Sequence, residues 1–367
     1  MRFLISTTAL AIGTALAVLP AAAGPALLFE PSTGNILYSE DMDNQWHPAS
    51  LTKIMTAYIV FGELKAGRIT LDTKIKCSER ANQEPPSKVG LPVGAEMTVD
   101  TALKALIVKS ANDVAVMLAE QIGPTYEQFV DRMNAAAQRL GMTRTRFKNP
   151  NGLPDEGQVT TARDLAKLSR AIVTEFPEYA GYWSMTEVQI GKQRLGTHNG
   201  LLTTFEGADG LKTGFICDSG FNVVASATRD GRKLMAVVLG EPSGKDRSIR
   251  AASLLEHGFR QYDWKQLFNT SSIDTVPIAA DARGVHSVRH TVTSWACGNR
   301  VAAKKLRSAK VKVKQAKKQA DPNRTAEAKP KLKPAQASAT GSTAAPAKAK
   351  QEAQAKPKSA AKAQSAN

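Results

Sequence analysis

Ser50-Leu51-Thr52-Lys53 sets a hydroxyl and an amine three residues apart. On a helix, residues i and i+3 share a face, so the amine stands beside the hydroxyl. A serine hydroxyl is a weak nucleophile until a base within hydrogen-bond reach takes its proton. A helix that starts at Ser50 adds two effects: its N-terminus favours negative charge on oxygen, and the Ser50 N–H can donate to an oxyanion. The chemistry open to this pair is acyl transfer, with Ser50 acylated and Lys53 as its base. Lysine has a reference pKa of ~10.4, so Lys53 must be held neutral. Burial and a nearby cation both push it that way.

The four-residue pattern alone is cheap. Ser359-Ala360-Ala361-Lys362 and Ser365-Ala366-Asn367 repeat such patterns in a segment that cannot hold a geometry. The weight lies in the set and its order. Ser110-Ala111-Asn112 follows Ser50, and Lys212-Thr213-Gly214 follows that, inside Asp209-Gly210-Leu211-Lys212-Thr213-Gly214-Phe215. Ser-x-x-Lys, Ser-x-Asn and Lys-Thr-Gly in this order form the penicillin-interacting signature. Their spacing fits the walls of a cleft between a helical lobe and a sheet. His47, His198, His257, His286 and His290 form no H-E-x-x-H, and the cysteines have no paired spacing, so no metal is implied. The histidines are read as structural, because none has the partners a Ser-His-Asp triad needs.

Several elements must position these groups. Ala26-Leu27-Leu28-Phe29 and Ile36-Leu37-Tyr38 surround a Pro/Ser/Gly/Asn cluster and read as a hairpin. Helical periodicity begins at Pro48-Ala49-Ser50 and recurs over 98–119, 126–140 and 162–173, with Ser110-Ala111-Asn112 at a helix-to-helix turn. The period then changes to that of strands. The runs 221–228 and 233–239 flank Asp230-Gly231, a strong hairpin signal because both turn positions need φ > 0. A helix from Ser248 to about Phe259 follows. Strands first, helices next, then strands and a helix predict one sheet assembled from both ends of a domain.

On Pro48 to Thr56, Ser110-Ala111-Asn112-Asp113, Asn149-Pro150-Asn151-Gly152-Leu153, Thr161-Ala162-Arg163-Asp164-Leu165 and Asp209 to Gly214, the chain resembles the D-alanyl-D-alanine carboxypeptidases of the low-molecular-mass penicillin-binding protein family. The resemblance runs from about Ala26 to Gly258. It implies a mixed α/β fold of the DD-peptidase/β-lactamase type, an antiparallel sheet flanked by helices with a helical lobe. It implies that Ser50 attacks the carbonyl of a penultimate D-alanine, Lys53 takes the serine proton and Ser110 relays a proton to the leaving amine. Asn112 would hold the substrate amide and the lysine. Lys212, helped by Thr213 of the Lys212-Thr213-Gly214 strand, would bind the terminal carboxylate, and the N–H groups of Ser50 and Phe215 would form the oxyanion hole. The implied partners are peptidoglycan stem peptides, with β-lactams as inhibitors, and no cofactor. An endopeptidase acting on cross-links would use the same groups. A β-lactamase of the class A type needs a Glu followed four residues later by Asn; none lies between Asn112 and Lys212. Slow release of β-lactams is therefore expected.

The boundaries follow composition. Arg2, an apolar stretch from Phe3 to Leu19 and then Pro20-Ala21-Ala22-Ala23 read as a signal peptide over 1–23, so the protein is expected to be exported, periplasmic or envelope-associated. The catalytic domain is expected over 24–262. A short extension, 263–300, carries β-like runs between Ile273 and Val292 and is read as a shortened β remnant. Cys77, Cys217 and Cys297 allow one disulfide, and the sequence does not say which. From 301 to 367 the chain is rich in Lys, Ala and Pro and has no aromatic residue, so it is expected to be disordered. This tail holds 17 Lys or Arg against three acidic residues, a net +14 of the chain's +16. Export argues against nucleic acid as its partner. An anionic envelope polymer or membrane surface suits it better, with a solvated spacer as the plain alternative.

Overall fold

The computed structural model describes residues 24–266, 271–294 and 297–298; the expected leader over 1–23 and the basic tail over 301–367 lie outside the described residues. Strands β1 (Ala26–Phe29) and β2 (Ile36–Glu40) turn through Gly34, which has positive φ. A 3-10 turn, Ala49–Leu51, leads into α1 (Thr52–Lys65). Next come β3 (Lys74–Lys76), α2 (Glu79–Gln83), β4 (Glu96–Thr98), α3 (Val99–Lys104), α4 (Asn112–Ile122), α5 (Tyr126–Arg139) and α6 (Ala162–Glu175). Helix α7 (Ala180–Trp183), strands β5 (Glu187–Ile190) and β6 (Gln193–Gly196) and helix α8 (Leu201–Thr204) precede the long strands β7 (Ala208–Ile216), β8 (Gly220–Arg229) and β9 (Arg232–Glu241). Helix α9 (Gly244–Gln266) follows.

The main sheet is antiparallel, in the order β2-β1-β9-β8-β7, so strands from both ends of the domain meet where β1 pairs with β9. This is the mixed α/β architecture expected. Side chains alternate across the sheet. Leu27, Phe29, Met235 and Val237 face one core, shared with α1, α4, α5 and α6; Leu28, Leu234, Ala236 and Val238 face a second, closed by Leu254 and Leu255 of α9. Both faces are covered, which is why 221–228 and 233–239 read as near-continuous apolar runs. Helix α1 is buried almost all round, from Ile54 and Met55 to Phe61, as a helix threaded through a core must be. Its N-terminal end is thereby fixed against the sheet.

The run over 98–119 turns at Ser110-Ala111-Asn112 as expected, but with a local form the spacing did not show: α3 passes into a π-turn over Ala105–Lys109, and Ser110 is left-handed at φ 60°, ψ 39° before α4 begins. The extension differs from expectation. The β-like runs of the extension form no strand among the described residues. Among the described residues, the extension's ladder contact is the bridge between Asn35 and Ser272, one residue before those runs. The segment is clamped by side chains instead. Arg163 on α6 pairs with Asp43 at 2.6 and 2.8 Å and donates to the carbonyls of Ile273, Val276 and Pro277, while Asp43 accepts from the Ala279 N–H. The paired side chains are only 5% and 3% exposed. Breaking such a pair strands a buried charge, so Arg163→Met is expected to lower unfolding free energy by about 3–5 kcal/mol in a denaturant titration. The double change with Asp43→Asn should recover part of that loss; an additive double would sink the pairing account. Helix α9 is longer at both ends than the expected helix over 248–259. The disulfide that the sequence left open joins Cys217 to Cys297, and Cys77 is a buried free thiol.

Candidate active site

Ser50 sits in the 3-10 turn ahead of α1, preceded by Ala49 at a positive φ of 48°. Two glycines let backbone close on it. A Cβ on Gly152 (φ +86°) would fall 1.9 Å from the Ala49 carbonyl oxygen, and one on Gly214 would fall 3.1 Å from the Ser50 nitrogen. Both lie inside the range that real Cβ atoms rarely or never occupy. The edge strand β7 and the loop over 149–153 can therefore grip the serine only with glycine at these positions. Thr56 on α1 donates to the Pro150 carbonyl at 2.6 Å and pins that loop to the helix.

Lys53, one turn along, is 1% exposed. Its Nζ lies 3.0 Å from Ser50 Oγ, 2.8 Å from Asn112 Oδ1 and 2.5 Å from the Asn151 carbonyl oxygen. Burial first, and the Lys212 cation second, hold its amine well below the ordinary lysine range. The two last partners accept hydrogen bonds. A neutral amine has two N–H groups and one lone pair, so donating to Asn112 and Asn151 leaves the lone pair for the Ser50 hydroxyl. The geometry thus presents a base to the serine.

Asn112 is held in turn. Its Nδ2 donates to the Pro85 carbonyl and its N–H to the Ser87 carbonyl. Next to it, buried Asp113 accepts from the N–H groups of Val89 and Gly90 and ties down the strand of loop that passes over α4. Asn151 donates to Glu84, whose carboxyl burial pushes up. The left-handed turn at Ser110 leaves its Oγ buried without a hydrogen-bond partner. A hydroxyl kept unpartnered in this place is ready for an arriving proton donor or acceptor.

On the opposite wall β7 supplies Lys212, Thr213, Gly214 and Phe215. Lys212 is 2% exposed and donates to the Thr213 carbonyl at 3.2 Å; burial, then Arg247, lowers its pKa to about 7. A cavity of about 570 Å³ runs between the walls, lined by Ser50, Ser110, Asn112, Thr213, Gly214 and Phe215 among others, with Lys53 and Lys212 beneath its surface. Six of the eight expected site residues line this cavity, and Lys53 and Lys212 touch that lining through Ser50 and Thr213. Sequence reasoning missed three that join them: Asn151, His198 and Arg247. Asn151 stood inside a family-like stretch without an assigned role. His198, read as structural, lines the cleft, and burial with the neighbouring cations lowers its pKa. Arg247, on α9, is 8% exposed, donates from Nη2 to the His198 carbonyl and has an Nε without a hydrogen-bond partner.

A family model described as D-alanyl-D-alanine carboxypeptidase matches residues 13–243. The chain belongs to this family. It is similar to the D-alanyl-D-alanine carboxypeptidase DacF of Bacillus subtilis, 35% identical over 249 residues that cover 66% of this chain and 64% of that protein. It is also similar to DacC of Escherichia coli, 35% identical, covering 65% of this chain and 61% of that one. The chain thus spans a little under two thirds of these relatives' own length. Among solved structures of the family, penicillin binding protein 5 from Haemophilus influenzae matches with a TM-score of 0.63 at 35% identity, covering 66% of this chain and 73% of that one. Penicillin-Binding Protein D2 from Listeria monocytogenes, solved in a cefotaxime-bound form, matches with a TM-score of 0.59 at 30% identity, over 65% of this chain and 97% of that one.

Proposed function

We propose that this chain is a serine-type D-Ala-D-Ala carboxypeptidase that removes the terminal D-alanine from peptidoglycan pentapeptides through an acyl-enzyme on Ser50. The observation that carries the reading is the buried Lys53 amine, with two obligate acceptors and the Ser50 hydroxyl around it. Ser50 Oγ attacks the carbonyl carbon of the penultimate D-alanine and its proton passes to Lys53. The oxyanion is held by the N–H groups of Ser50 and Phe215, a contribution typically worth ~3–4 kcal/mol per donor. The carbon–nitrogen bond then breaks, the proton travels by way of Ser110 to the leaving amine, and D-alanine departs. Water cleaves the ester and returns the proton to Ser50. Thr213, Lys212 and Arg247 take the terminal carboxylate, and Asn112 holds the substrate amide. A β-lactam imitates the acyl-D-Ala-D-Ala end and acylates the same serine; a cefotaxime-bound form of a similar protein supports this. A peptidoglycan substrate would place the enzyme in the cell envelope. Residues 301–367 would add adhesion to anionic envelope material.

Incubating the protein with diacetyl-Lys-D-Ala-D-Ala is expected to release free D-alanine. Ser50→Ala should lower that release by at least about 10³-fold, since nucleophile and base act as a unit. Prior treatment with benzylpenicillin should block it, with release of the drug far slower than peptide turnover. No release, together with no penicillin label on Ser50, would overturn the reading; rapid penicillin hydrolysis would make the chain a β-lactamase.

A further inference from the structure

The cavity does not end at the catalytic groups. It continues past Phe215, Ile216 and Cys217 to Asp218, and there Arg289 joins the lining. Arg289 comes from the extension and grips Asp218 with two bonds, Nε to Oδ1 at 3.1 Å and Nη2 to Oδ2 at 2.8 Å. Ser287 Oγ adds a third at 2.7 Å, and the Val288 N–H donates to the Asp218 carbonyl. The segment is seated firmly. Val288 and Val292 are buried, His286 stands edge-on to Trp46 at 4.9 Å, and Cys297 is bonded to Cys217, the residue before Asp218. The Arg289 and Ser287 hydrogen bonds hold the Asp218 carboxyl below its ordinary pKa, so it is charged at neutral pH.

Position along β7 decides what this end can meet. If Thr213 and Arg247 take the terminal carboxylate and Gly214 stands at the serine, the acyl part of a substrate must run on towards Asp218. Extended chain covers about 3.3 Å per residue, so Gly214 to Asp218 is at most about 13 Å. Two substrate residues and one long side chain span that distance. Among the described residues, the pair at this end joins one anion, Asp218, to one cation, Arg289. A lone ammonium there would be attracted by Asp218 and repelled by Arg289, and a lone carboxylate the reverse. A side chain with both charges extends the pair into an alternating set of four.

We propose that Asp218 and Arg289 form a subsite, on the acyl side of Ser50, for a stem-peptide side chain that ends in both an ammonium and a carboxylate. Arg289 is its specificity-determining residue. The inference rests on the carboxypeptidase reading for its substrate direction. It makes the extension part of the substrate site.

The test compares two acyl-X-D-Ala-D-Ala peptides, with X as diaminopimelate bearing its free amine and carboxylate, or as Nε-acetyl-lysine. The full chain is expected to favour the first by about tenfold in kcat/KM. Arg289→Ala should reduce that ratio to within about twofold of unity, while Arg289→Lys, which keeps the cation, should retain a clear preference. A wild-type ratio near one, or a ratio that Arg289→Ala leaves within threefold of wild type, would overturn the subsite. If neither peptide yields D-alanine, the activity reading fails, and the subsite is then judged by calorimetry. Ser50→Ala should bind the diaminopimelate peptide more tightly than the acetylated one, and adding Arg289→Ala should remove the difference. Equal affinities in Ser50→Ala would end the proposal.

Discussion

Lys53→Met is expected to slow acylation of Ser50 by a fluorescent penicillin by at least about 10³-fold, within the range that a positioned general base contributes. Methionine keeps the length and apolar bulk of the stem, so the core around α1 stays filled. It removes the lone pair, and it removes the donor that Asn112 Oδ1 and the Asn151 carbonyl share. Each stranded acceptor costs about 1–3 kcal/mol, so a loss of stability should accompany the loss of rate. Lys53→Arg separates the two effects. It keeps donors for both acceptors but stays charged at every working pH, so it should be nearly as slow as Lys53→Met. The pH profile gives an independent reading. A lysine at its ordinary pKa would let the rate climb tenfold per unit across neutral pH. Burial, and Lys212 while it is charged, push Lys53 well below that value, so the rate should level off at a lower pH than an ordinary lysine allows, and fall as acid protonates the amine. A steady climb from pH 7 to 10 would contradict a neutral Lys53.

Arg247→Ala should lower kcat/KM on D-Ala-D-Ala peptides by about 10²–10³, the scale for removing one partner of a buried charge pair. Two cations lie near the expected carboxylate, and their pKa values decide between them. Lys212 titrates at about 7, so at pH 8 most of it is neutral before substrate arrives. Arg247 is lowered only to about 10 and remains charged. It is also buried with its Nε unpartnered, a costly arrangement that an incoming carboxylate would relieve. Arg247→Ala should therefore hurt most where the peptide ends in a free carboxylate, and much less when that end is amidated. Lys212→Ala should hurt more at pH 6 than at pH 8.5, because only the charged amine attracts the carboxylate. If Arg247→Ala stayed within threefold of wild type at pH 8, the assignment of Arg247 would be wrong.

What the sequence disclosed was what local spacing can encode. Ser50 and Lys53 share a helix face whatever surrounds them, and Asp230-Gly231 forces a tight turn by its own conformational needs. Arg247 is another matter. It reaches the cleft because α9 packs back against β8 and β9, and no spacing to Lys212 reveals that. Asn151 acts through its backbone carbonyl, which every residue has, so its identity carries no signal for the contact with Lys53. The extension misled for a physical reason. Ile273, Val288 and Val292 are buried anchors at irregular intervals, and an extended segment clamped by Arg163 and Asp43 looks in sequence like short strands. The turn at Ser110 was legible, but its left-handed backbone was not, because the helical patterns on either side say nothing of one residue's φ.

The two glycines that press on Ser50 bear on how such a protein can evolve under antibiotic selection. Neither touches a drug with a side chain, yet any Cβ at 152 or 214 would displace the backbone around the nucleophile. Changes that loosen inhibitor binding must then arise elsewhere along the cleft. In a library randomised at 152, 214 and 289 and selected for folded, penicillin-labelled protein, the first two should return as glycine and the third should drift. The nucleophile would be walled in by positions closed to variation, and adaptation would be confined to the far rim.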